Sequence, residues 1–95
     1  MNETREPGKV ADIMPLTPLT LNAIQAEALR ADCLHGEHSI LNKEMPDRER
    51  LLILAQEIVE VAHLLNCDGD KTKLEIELIR VAAVAATWIE ALTTR

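Results

Sequence analysis

Acidic side chains embedded in apolar helical sequence are the residues of this chain best placed to do chemistry. Glu57 and Glu60 lie in residues 51–62, LLILAQEIVEVA, and are flanked almost entirely by Leu, Ile, Val and Ala. At about 100° per residue, Gln56, Glu57, Glu60 and His63 fall within an arc roughly 120° wide. A solvated surface helix would carry a broad charged face. Two acids in a narrow polar seam instead call for cations or a metal ion to offset their desolvation. Further on, Lys73, Glu77, Arg80 and Thr87 recur at i, i+4, i+7 and i+14 in KLEIELIRVAAVAATWIEAL, one stripe at helical period. If the two seams face each other, Glu57, Glu60 and Glu77 converge on one oxygen-rich pocket. The bland alternative is a salt-bridged seam, with Arg80 and Lys73 as the partners of the acids.

The elements that must position these residues are helices. Thr17 can cap a first helix from about Pro18 to Leu34, with Pro18 at the first helical position and Gly36 as its left-handed stop. A loop, HGEHSILNKEMP, carries His35, His38 and Ser39 to Pro46. The second helix is expected from an Asp47 cap to about Asn66. The third opens on Thr72-x-x-Glu75, a capping-box pattern, and ends near Thr93. Residues 1–17, with Pro7, Gly8 and Pro15, read as an irregular N-terminal arm, and 18–95 as one helical domain. No alternating segment signals a strand. The expected fold is all-α: an antiparallel helical bundle of about three helices per chain.

Nearly half of the 95 residues are apolar, yet Trp88 is the sole aromatic, so aliphatic side chains must do the packing. Three helices cannot hide two that are apolar nearly all round. The bundle is therefore expected to be completed by homo-oligomerisation, as a dimer or tetramer. A formal charge of −6 argues against nucleic acid or an anionic membrane as the main partner. No apolar run reaches the roughly 18 residues of a spanning helix, and residues 1–15 lack a signal peptide's apolar centre. Cys33 and Cys67 fall at or just past helix ends expected at opposite poles, and read as free thiols of a reducing cytoplasm.

With these elements in order, LAQEIVEVAHLL followed by LEIELIRVAAVAATWIEAL resembles the MazG-like superfamily of all-α nucleoside-triphosphate pyrophosphohydrolases. Glu57-x-x-Glu60 matches the first half of that family's E-x-x-E … E-x-x-D signature, and Glu77 opens the second half. The upstream LRADCLHGEHS (Arg30, His35, Gly36, Ser39) is similar to the first helix and loop of short, single-domain, often phage-encoded members. The likeness covers roughly residues 25–92. It implies a bundle completed by dimerisation or tetramerisation. It also implies Mg²⁺-dependent cleavage (or Mn²⁺ in its place) of the α–β bond of a nucleoside triphosphate or related nucleotide. Glu57, Glu60 and Glu77 would then be metal ligands, with one of Glu57 and Glu60 able to act instead as a base through water. Arg30, Lys73, His35 and Ser39 would be candidates for nucleotide contact. Where the family's second motif has Asp, this chain has Arg80, which cannot bind a metal. Arg80 either pairs with Glu77 or reaches a substrate phosphate. The alternative reading is a non-catalytic MazG-like oligomer that binds a nucleotide or a protein.

Overall fold

A computed structural model describes residues 14–67 and 69–95, and among these there are three long helices and no strand. Most of the expected arm lies outside the described residues; of its remainder, Met14 and Leu16 are exposed and non-helical. The first helix, α1, spans Pro18–His35. It starts where expected: Thr17 is extended, its hydroxyl accepts the Thr20 amide at 3.3 Å, and Pro18 follows it. It stops at Gly36, whose φ of 56° ends the helical run while its amide still reaches the Asp32 carbonyl.

The second helix, α2, spans Asp47–Cys67, and the third, α3, spans Lys71–Thr93. Two expected caps are corrected. Asp47 lies inside the first turn of α2, which is opened by the Pro46 carbonyl accepting from Glu49 and Arg50. Its carboxylate is drawn away to the Trp88 indole N–H at 2.9 Å and the Arg95 guanidinium at 2.9 Å, a charged partner outcompeting local amides. The cap of α3 is Asp70 rather than Thr72, because the Asp70 carboxylate takes the amides of Thr72 at 2.9 Å and Lys73 at 3.2 Å.

The Asp47–Trp88 bond places the start of α2 beside the end of α3, so these two helices are antiparallel. Against α3 packs α1 as well, whereas α1 and α2 make no close backbone approach among the described residues. The core lies along α3, where Ala28 and Ala31 of α1 meet Ala83 and Val84, and Ile40 closes the end. Small residues allow that close approach, but they bury little apolar area each. The consequence is an open molecule, with a radius of gyration of 15.8 Å against about 12 Å for a compact domain of this length. Large aliphatic side chains remain outside, among them Leu19 (79% exposed), Leu52 (59%) and Val59 (63%).

The connection between α1 and α2 is ordered by one buried cation. After a 3-10 turn at Gly36–His38, Arg50 of α2 is wholly buried and donates to the Ile40 carbonyl at 2.9 Å and the Asn42 carbonyl at 2.7 Å. No helix among the described residues is long and apolar enough to cross a membrane.

Candidate functional site

The three helices meet at a cluster of charged side chains. Five residues build it: Glu27 and Arg30 from α1, Glu57 from α2, and Glu77 and Arg80 from α3. All but Glu77 line a cleft of about 210 Å³, together with Ile53, Ala83 and the rim residues His35 and His38.

Its three acids sit at helical positions that packing would otherwise give to apolar residues. On α2 the half-buried positions are Ile53, Leu54, Glu57, Val61 and Leu64, one continuous stripe against α3. Glu57 occupies its middle. On α3, Glu77 lies one turn before Arg80 and two before Val84, and it is buried. On α1, Ile24, Glu27, Ala28 and Ala31 follow i, i+3, i+4, i+7, and Glu27 takes an apolar slot.

The cations answer the acids in a chain. Arg30 grips Glu27 with both Nε (2.8 Å) and Nη2 (2.6 Å), a bidentate pair within one helix. Arg80 donates from Nη1 to Glu77 Oε1 at 2.8 Å and places Nε 3.8 Å from Glu27 Oε2, which joins α1 to α3. The other oxygen of Glu77, Oε2, is buried and receives no N–H or hydroxyl donor. Glu57 lies within hydrogen-bonding reach of Glu77, and a hydrogen bond between two carboxyl groups requires a proton on one of them. Burial, then the bond to Glu77 and its charge, push the Glu57 carboxyl from the usual 4.5 to about 7, against the pull of Arg80. The proton is shared by the pair, of which only Glu77 also takes a guanidinium hydrogen bond. Glu27 goes the opposite way: the hydrogen bond from Arg30 holds its carboxyl below the ordinary value.

Glu57, Glu77, Arg80, Arg30 and His35 thus gather at one junction, while three sequence candidates stand elsewhere. Glu60 is exposed and does not line the cleft. It is rotated about 60° from Glu57, just past the edge of the stripe that faces α3. Lys73 is exposed in the first turn of α3 and likewise lies off the cleft. Ser39 is fully buried, and its hydroxyl accepts the Leu41 amide at 3.0 Å, so it builds the loop and faces no solvent. The three-carboxylate convergence expected from the seams is therefore a two-carboxylate pair. Among the described residues no group of three or more His, Cys, Asp or Glu side chains is disposed to hold a metal ion.

Sequence reasoning missed Glu27 and Arg50. The first was detectable as an acid at an apolar helical phase, the same signal that Glu57 gives. Arg50 carried no such signal, since its partners are backbone carbonyls of a loop. Comparison of the chain with protein-family models, with curated proteins and with solved structures finds no match.

Proposed function

We propose that this chain is a MazG-like nucleotide pyrophosphohydrolase, acting with Mg²⁺ on a (deoxy)nucleoside triphosphate or related nucleotide at the three-helix junction. The observation that carries the reading is the meeting of Glu57 and Glu77, from facing helices, beneath the guanidinium groups of Arg30 and Arg80. The motif likeness of Glu57-x-x-Glu60 and Glu77 supplies the reaction class.

The donor set is compatible with Mg²⁺ in one respect. A buried carboxylate oxygen without an N–H or hydroxyl partner, beside a carboxyl raised to about 7, is a place a hard cation can take in exchange for a proton. Mg²⁺ commonly uses one or two carboxylates and completes its shell with water and substrate phosphates, so a full protein cage is not required. Glu57 and Glu77 would hold it, with Glu60 one turn away on the exposed side. Bound there, the ion would supply charge neutralisation at the phosphates. Arg30 and Arg80 would bind phosphoryl oxygens, and Glu57, where it does not hold the ion, would act instead as a base through water.

A second reading has its own observation. Arg80 bonds to Glu77 at 2.8 Å, a resident cation where the family motif has a metal-binding Asp. That arrangement suits a non-catalytic relative that binds a nucleotide or a protein. Under either reading, the exposed aliphatic faces of α1 and α2 favour a homodimer or homotetramer. Two exposed free thiols suit a reducing cytoplasm.

Pyrophosphate release across a panel of nucleoside triphosphates, with and without Mg²⁺, separates the readings. Hydrolysis predicts Mg²⁺-dependent turnover that falls by about 100-fold or more in Glu57→Gln. Turnover of no nucleotide, alongside calorimetric binding that needs no Mg²⁺, supports the non-catalytic reading instead.

A further inference from the structure

We infer that Glu27 is a positioning residue of the site: it orients two guanidinium groups from different helices, Arg30 and Arg80, so that their free N–H groups together receive the terminal phosphates of the ligand. This rests on the nucleotide reading above and adds to it a residue outside the E-x-x-E and E-x-x-D motifs.

The geometry comes from which nitrogens are already in use. Arg30 spends Nε and Nη2 on Glu27, which leaves Nη1. Arg80 donates Nη1 to Glu77, while its Nε lies buried 3.8 Å from Glu27 Oε2, an ion pair without a hydrogen bond, and Nη2 remains. Both side chains line the cleft, as does Glu27 itself. A long Arg side chain loses considerable rotamer freedom when it is held still, and here that ordering is done before any ligand arrives. The Glu27 side chain is only 14% exposed, against 46% for Arg30 and 36% for Arg80, so the acid sits behind the cations.

The test uses the full chain and Mg²⁺–pyrophosphate as probe, measured by calorimetry in wild type, Glu27→Gln, Arg30→Gln and the double variant. Circular dichroism melts accompany each protein. The expected result is a five- to tenfold loss in Glu27→Gln, shrinking to two- to threefold when Arg30 is already Gln, because only the 3.8 Å contact with Arg80 is then left to lose. Glu27→Asp, which keeps the charge on a shorter stem, is expected to recover part of the loss and replaces Glu27→Gln if that variant does not fold. Equal losses in both backgrounds, or no loss, overturn the inference while leaving the nucleotide reading standing. If wild type itself binds no Mg²⁺–pyrophosphate, the nucleotide reading falls and the inference with it.

Discussion

Removing the titration of Glu57 should change how stability depends on pH, and the sign follows from the direction of its shift. The fold favours the neutral carboxyl, raised from 4.5 to about 7, so the native state holds a proton that the unfolded chain has lost between those values. Its contribution to stability is complete below pH 4.5 and disappears as pH rises through 7. In a dry site the displacement would correspond to about 3 kcal/mol. Glu57 is only half-buried, and solvent screening reduces the expectation to about 1–2 kcal/mol. Glu57→Gln keeps the shape and can still donate a hydrogen bond to Glu77, but cannot ionise. The variant should match wild type at pH 5 and exceed it at pH 8 by roughly 5–15 °C in melting temperature, given about 4–8 °C per kcal/mol for a domain of this size. Thermal melts followed by circular dichroism, with a chelator present, measure this directly. Groups remote from the Glu57–Glu77 pair are common to both proteins, so the difference isolates that pair. Glu27, held low by Arg30, contributes stability that is lost as pH falls below the usual carboxylate range, outside the window. Parallel melting curves for the two proteins from pH 5 to 8 would refute a shared proton between Glu57 and Glu77.

Two further outcomes are expected. Mg²⁺ binding at pH 6 should release close to one proton per ion, and affinity should rise up to tenfold per pH unit until about pH 7. Calorimetry in two buffers of different ionisation heat counts the proton, and none released would place the ion away from Glu57. Arg50→Met should lower stability by about 2–4 kcal/mol, because it leaves the Ile40 and Asn42 carbonyls without their charged donor. Urea unfolding with an unchanged m-value reads the loss, and a loss under 1 kcal/mol would show that the loop does not depend on this cation.

Local rules account for much of what is observed. Thr17, Pro18 and Gly36 bound α1 through backbone chemistry that acts within one turn, so its ends could be read from residue types alone. The lengths of α2 and α3 were likewise legible from apolar period, and the pairing of an acid on each was legible from their seams. The caps of α2 and α3 were less so. Asp47 is a good cap by type, yet partners more than forty positions away, Trp88 and Arg95, take its carboxylate. Asp70 took the place expected for Thr72 because an ionised acceptor two residues upstream binds the same free amides better.

Residue types and their period are enough to show that the chain is helical, about where each helix runs, and that acids interrupt its apolar stripes. It took the packing of the helices to show that Glu57 and not Glu60 meets Glu77, and that Glu27 and Arg50 belong among the residues that matter. Helical period sets the angle between two residues on one helix, but not the rotation of that helix about its own axis against its neighbour. That rotation comes from contacts distant in sequence, the close approach at Ala83 and the pin between Asp47 and Trp88, and about 60° of it separates a buried acid from an exposed one.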